Sequence, residues 1–336
     1  MKSPLLFNQR RQKNFLKINF KINKLIKKED IMSKQVESSK EFSKLMESKK
    51  ILDIKEDVNL VLEGQYKMAY DAMTDAYNAG LFVGLVGPVG CGKTAICRKF
   101  AFDMKREFYW VTFSDLIRPS TLIGSFDPTL VFKYGFSSDS YIPGPFTLSA
   151  LKGGVFLANE LNRGDEYVLN SMLDAMEEKK LYIPQLKTWL SVDEEFYVIA
   201  AMNPSELKGT RKLPSAIKDR IKVWIHLGYP SRSLEQKIML TNCPEYKLSA
   251  LTQEKIIELM IQCRADPDVD KPPSLRTSIG LARFVSERAK RLKVEVDNKL
   301  IAESAKLILP DSIELRPGKQ IDAFLKKLLT KVVGVA

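Results

Sequence analysis

Eight residues, Gly87-Pro88-Val89-Gly90-Cys91-Gly92-Lys93-Thr94, constrain this chain more than any other stretch. They match G-x-x-x-x-G-K-[ST] at every specified position, between a short apolar run, 81–86, and a segment of helical period, 93–105. The motif obliges a strand, a tight turn and a helix in that order. Its glycines let backbone N–H groups curl around phosphates, and the helix start adds its positive dipole end. Gly87, Pro88, Val89, Gly90, Cys91 and Gly92 are the expected cradle. Lys93 is expected to reach the β- and γ-phosphates of ATP, and the Thr94 hydroxyl to ligate Mg²⁺. Cys91 reads as a small residue filling a variable position.

The chain around this unit alternates strands and helices. Runs at 108–113, 155–158, 196–201 and 222–227 read as further buried strands, and 165–180 as one helix with Val168, Leu169, Met172, Leu173 and Met176 on a face. That order predicts an α/β fold with a parallel sheet covered on both faces. Beyond Gly228-Tyr229-Pro230 the segments 253–263, 275–293 and 299–309 are helical in period and no strand stands out. The expected division is a basic extension over 1–45, disordered; an α/β nucleotide-binding core over 46–229; and an all-helical domain over 230–336. Segments 124–146 and 180–195 read as hairpin-like insertions in the core.

Composition narrows the class without naming it. Of 336 residues 45% are hydrophobic and 28% charged, an ordinary globular balance, and no apolar run approaches the eighteen or so residues of a membrane span. Four scattered cysteines and one histidine fit packing, without a disulfide framework or a histidine metal cluster, and point to a reducing, cytoplasmic compartment. The net charge of +12 suggests nucleic acid until it is mapped. Residues 1–28 hold nine Lys/Arg and no acid, which leaves 44 basic residues against 41 acidic in the rest. Residues 1–31 remain open between a dispensable extension ahead of a second start at Met32, a basic amphipathic anchor and a transit peptide.

Hydrolysis needs a carboxylate to orient water and support for magnesium. Asn159-Glu160, at the end of the run 155–158, are the candidates: Glu160 to polarise water, Asn159 in the magnesium shell. Asn203, before Pro204, is placed to bond the γ-phosphate or the attacking water. Arg220 precedes the last strand, and Arg276 opens a helix of the second domain; alone, each could be a surface salt bridge, Arg220 with Asp219 or Glu194.

In this order the motifs resemble the MoxR family of AAA+ ATPases over about residues 60–330. The resemblance rests on Gly64-Gln65, the phosphate loop, Gly144-Pro145, Glu160-Leu161-Asn162-Arg163, Asp174-Ala175-Met176-Glu177-Glu178, Val198 to Pro204, Leu213-Pro214, Asp219-Arg220 and Leu227-Gly228-Tyr229-Pro230. It implies an ATP-driven ring, usually hexameric, with a helical lid over the core. Stretch 124–146 would be its helix-2 insert, 180–195 its pre-sensor-1 hairpin, Asn203 its sensor 1, Arg276 its sensor 2. Arg220 would be the arginine finger on a neighbour's ATP, with Arg163 next in line. The chain departs from the family at Asn159, where the family has Asp, and this bears on hydrolysis more than on binding.

Several functions follow from different classes. The first is a chaperone-like ATPase that remodels or activates a client protein complex; the MoxR resemblance implies a von Willebrand factor A domain partner and a task such as metalloenzyme maturation. An alternative is an ATP-binding scaffold that hydrolyses weakly because of Asn159. A nucleic-acid motor is the third, and the near-neutral body and the lack of a DNA-reading module count against it. A simple P-loop kinase is the weakest, since it leaves the lid and the finger unexplained.

Overall fold

The run from Phe82 to Val86 is buried at every position, as an unbroken apolar strand requires when both faces of its sheet are covered. The computed structural model describes residues 60–204, 211–246 and 248–335, so the basic extension lies outside it. Nine strands fall in its α/β part: β1 (Phe82–Val86), β2 (Phe108–Thr112), β3 (Gly124–Phe126), β4 (Tyr141–Pro143), β5 (Val155–Asn159), β6 (Lys180–Ile183), β7 (Thr188–Ser191), β8 (Tyr197–Met202) and β9 (Ile221–His226). Five form one parallel sheet in the order β2-β5-β8-β1-β9. Asn159 lies opposite Ala201, and Val86 opposite Met202, so the carboxyl ends of β5, β8 and β1 finish level. In an open parallel sheet that edge is where ligands bind.

The helices of this part are α1 (Gln65–Asn78), α2 (Lys93–Asp103), α3 (Pro119–Ile123), α4 (Pro128–Tyr134), α5 (Pro145–Leu151), α6 (Glu166–Asn170), α7 (Leu173–Glu177) and α8 (Ser215–Arg220). Phe100 of α2 meets Tyr77 of α1 edge to face at 5.8 Å, and Tyr77 meets Tyr197 of β8 at 5.0 Å. Each such pair contributes about 0.5–1.5 kcal/mol beyond its burial. Both insertions contain the expected hairpins: β3 pairs with β4, with α4 between them, and β6 pairs with β7.

Two expectations are corrected. The single helix over 165–180 is two short ones, α6 and α7. At their junction the bonds tighten to three residues, from Ser171 N to Val168 O and Met172 N to Leu169 O, while the Ser171 hydroxyl donates to Val168 O at 2.6 Å. Lys179 then takes a left-handed φ of 51° and turns the chain into β6. The second correction is a strand pair among the later helices: β10 (Val269–Lys271) lies antiparallel to β11 (Glu314–Leu315). Strands of two or three residues are too short to show a period.

Five helices make up the remainder: α9 (Arg232–Thr241), α10 (Ala250–Ala265), α11 (Leu275–Leu292), α12 (Asn298–Ser312) and α13 (Ile321–Val333). Ser249 and Asp297 cap α10 and α12 by accepting from Thr252 N and Leu300 N. Leu281, Ala282, Val285 and Ala289 form the buried stripe of α11. They pack with Ile256, Met260, Ile301, Leu325 and Leu329 into a second core. Helix α9 straddles the two cores, with Leu234 and Ile238 in the first and Met239 in the second. Among the described residues no helix is long and apolar enough to cross a membrane.

Candidate functional site

The phosphate loop follows β1 and runs into α2. Gly90 and Gly92 have φ of +70° and +101°, a region L side chains rarely adopt. A Cβ on Gly90 would lie 2.6 Å from the Ser274 Cβ, so the start of α11 sits directly on the loop. The Tyr66 hydroxyl donates to Cys91 O at 2.7 Å and pins the loop from α1. Cys91 is fully buried, and burial pushes its thiol pKa up. It packs; it is no exposed thiolate. All four cysteines are free and buried.

Lys93 is 8% exposed, and its ammonium donates to Gly87 O at 2.6 Å, Pro88 O at 2.9 Å and Asn203 Oδ1 at 3.0 Å. Burial holds its pKa below the usual lysine value, with Cys91 and Glu160 acting the other way. Three neutral acceptors are poor compensation for a buried charge, and phosphate oxygens at this spot would be better ones.

Glu160 follows β5 in a left-handed conformation, φ 54° and ψ 41°. Its carboxylate lies 2.7 Å from Arg163 Nε within the same short turn, so Arg163 is engaged by its own chain. Asn162, 3% exposed, donates to Asn203 O at 3.0 Å and ties the end of β5 to the end of β8. Asn159 donates from Nδ2 to the Thr112 hydroxyl at 3.2 Å, across the β2–β5 pairing.

A cavity of about 480 Å³ collects most of the expected residues: Gly90, Gly92, Lys93, Thr94, Asn159, Glu160, Asn203 and Arg276 all line it, beside Val89. That volume falls in the ordinary range for a small-molecule site. Leu275, Arg276 and Ile279 of α11 line the cavity, Ile279 lying four residues from Leu275 and three from Arg276, one turn on. Leu60, Val61 and Ile238 add apolar wall. These wall residues were not read from the sequence, because they come from three distant segments with no shared motif.

Arg220 is not part of this lining. Its guanidinium pairs with the carboxylate of Glu177, at the end of α7, and with Asp219 at 2.5 Å. The expected alternative partner Asp219 is present, whereas Glu177 stands where Glu194 was expected. Gly64-Gln65 and Leu227-Gly228-Tyr229-Pro230 form one device: Gln65 Nε2 donates to Gly228 O at 3.0 Å, and Gly228 N donates to Gln65 Oε1 at 3.2 Å.

The cavity is polar and cationic at the loop and apolar towards Leu60, Val61, Ile238 and Ile279, which suits a nucleotide. Its donor set for a divalent ion is the Thr94 hydroxyl, the Asn159 amide and one carboxylate, Glu160. That set fits a Mg²⁺ ion that keeps several waters and is held largely by substrate phosphates.

Comparison with known proteins agrees with this architecture. Residues 83–221 match the AAA domain family, dynein-related subfamily. The chain is 26% identical over 309 residues to the uncharacterized protein YeaC of Bacillus subtilis, covering 82% of this chain and 92% of that one. It is 26% identical over 208 residues to the gas vesicle ATPase GvpN of Haloferax mediterranei, with 57% and 59% coverage. It is 28% identical over 183 residues to the chaperone MoxR1 of Mycobacterium tuberculosis, with 54% and 45%. The chain thus spans less than two thirds of the latter two proteins. A solved structure of a Thermotoga maritima RuvB mutant superposes with a TM-score of 0.52 at 15% identity, covering 81% and 82%, a likeness of fold alone. The fold is an AAA+ P-loop fold with a helical region, and the likeness to MoxR-type AAA+ ATPases holds. Of these relatives, GvpN is named an ATPase and MoxR1 a chaperone.

Proposed function

We propose that the protein couples ATP binding and hydrolysis to the remodelling or activation of a partner protein complex, working as a ring, as a hexamer. The observation that carries this reading is how the expected site residues divide. Lys93, Thr94, Asn159, Glu160, Asn203 and Arg276 line one cavity, while Arg220 lies outside it, as a residue serving a neighbour's site must. In this reading the loop Gly87–Thr94 holds the phosphates, and Thr94 and Asn159 hold the Mg²⁺ that offsets phosphate charge. Glu160 orients the attacking water, Asn203 bonds the γ-phosphate or that water, and Arg276 reads the phosphates from the helical domain. The core over 46–229 and the helical domain over 230–336 meet at Pro230. The client would be a protein assembly with a von Willebrand factor A domain partner, in a cytoplasmic compartment; metalloenzyme maturation is the kind of task proposed.

A second reading has its own observation. Asn159 is neutral and already occupied with Thr112, which favours a scaffold that assembles on ATP and hydrolyses it slowly. One comparison separates the two. If Glu160 orients water, Glu160→Gln should keep ATP binding and lose about 10²–10⁴ in turnover. Equal, low turnover in both proteins would sink the remodelling ATPase and leave the scaffold. A pull-down with the Glu160→Gln protein held on ATP then tests for the client.

A further inference from the structure

Arg264, near the end of α10, bonds three separate segments at once. Its NH1 and NH2 groups grip both oxygens of Glu235 in α9, at 2.5 and 3.0 Å. Its Nε donates to Pro273 O at 3.0 Å, at the entry to α11. Its guanidinium carbon, Cζ, lies 4.2 Å from the ring centroid of Tyr229, at the joint after β9. Glu235 is wholly buried, and Arg264 is its ion-pair partner there.

Such a pair is poor glue. Burying two charges costs about what their attraction returns, and an apolar pair of like volume is often as stable or more so. What the fork supplies is direction, because two donors fix the Glu235 carboxylate and the third fixes the Pro273 carbonyl, in angle as well as distance. The network also ends on the phosphate loop twice. The Tyr229 hydroxyl lies 3.5 Å from Val89 O, and Ser274, the residue after Pro273, packs on Gly90. Val89 and Gly90 are adjacent. Arg276 follows Pro273 by three residues and lines the same cavity.

We infer that Arg264 is a positioning residue: seated on Glu235 and Tyr229, it holds the Pro273–Arg276 turn at a set distance from the phosphate loop, so that Arg276 faces bound ATP. The inference rests on the proposed reading of the cavity as an ATP site. A lysine keeps the charge beside Glu235 but cannot fill the fork, so Arg264→Lys should weaken affinity for a fluorescent ATP analogue about tenfold, within the usual range of coupling between sites. The same substitution in an Arg276→Ala background should then cost less than about twofold, the scatter of independent sites. Tyr229→Leu removes the ring beneath the guanidinium while leaving the Glu235 pair intact, and is read against Tyr229→Phe, which keeps the ring and loses only the hydroxyl at Val89 O. Tyr229→Leu should show a smaller loss and the same collapse in the Arg276→Ala background, and it carries the test if Arg264→Lys fails to fold. Thermal melts of each variant identify such a failure. A loss that persists in full without Arg276, or no loss in either variant, would overturn the inference while the ATP site stands. No binding of the analogue by the unaltered protein would remove the ATP reading and this inference with it.

Discussion

Lys93 Nζ stands 3.0 Å from the amide oxygen of Asn203, which joins the start of α2 to the tip of β8 across 110 positions of sequence. The contact places the loop's cation at the level edge where β1, β5 and β8 end. It also means that an incoming phosphate would meet an ammonium already in place beside the β8 tip.

Lys93→Ala should therefore weaken ATP binding about tenfold to a hundredfold, the value of a hydrogen bond to a charged group. The fold should survive, because removing a buried ammonium also removes its desolvation cost. An ATP titration beside a thermal melt checks both halves; unchanged affinity would refute the assignment of the loop.

The same residue makes a pH prediction. Only the charged amine attracts phosphate, and burial lowers its pKa from the usual 10.5. ATP affinity present at neutral pH should fall as pH rises, and the fall should begin below the range of an ordinary lysine. The contribution to folding has the opposite sign: the buried charge opposes folding at lower pH, and that penalty eases as pH rises through the lowered pKa. Affinity measured from neutrality towards 10.5 should lose its alkaline limb in Lys93→Ala.

Asn159→Asp should raise turnover. The contact with Thr112 can survive by reversing direction, with the hydroxyl donating to the new carboxylate, so the substitution adds a charge near Thr94 without removing a bond. A magnesium titration of ATPase rate should shift to lower concentrations. A flat or falling rate at every magnesium level would mean that the amide serves another purpose.

Arg220→Ala should bind ATP but lose the rise in specific activity with protein concentration that a shared site produces. Fingers supplied in trans contribute on the order of 10³–10⁵ in rate. Mixing Arg220→Ala with Lys93→Ala subunits should restore part of the activity, since some interfaces then combine an intact loop with an intact finger. No recovery, with rings present by light scattering, would reduce Arg220 to its pairs with Glu177 and Asp219.

Gly84→Ala tests the sheet without touching the cavity. Gly84 and Trp224 are partners across β1 and β9, and a Cβ on Gly84 would fall 2.3 Å from the indole. Such overpacking costs about 1–3 kcal/mol. The urea midpoint should drop with an unchanged slope, and Trp224→Leu in the same chain should recover part of it.

What was legible in the chain was local. The phosphate loop, the strand ends at Asn159-Glu160 and Asn203, and the buried stripe of α11 are each written within a few residues, because strand and helix periods and tight turns depend on near neighbours. The amphipathic spacing of α13, with Phe324, Leu325, Leu328 and Leu329 buried, was equally available and was not read. The break between α6 and α7 was less legible, since Ser171 can sit in a helix or pinch one according to what packs around it.

The sequence alone was enough to indicate a parallel α/β core, its phosphate loop and the helices that follow, since strand and helix periods and the loop motif are set by residues close in the chain, although the sheet pairs strands as distant as those of Val83 and Ile199. Only the tertiary structure decided that Leu60, Val61, Ile238 and Ile279 share a wall with Lys93, and that Arg220 turns to Glu177 and Asp219 instead of the cavity. It alone seats Arg264 between Glu235, Pro273 and Tyr229. Most of those relations join segments tens to hundreds of residues apart. Their partners are chosen by how the cores pack and by which buried charges must be satisfied, and no spacing along the chain records that choice.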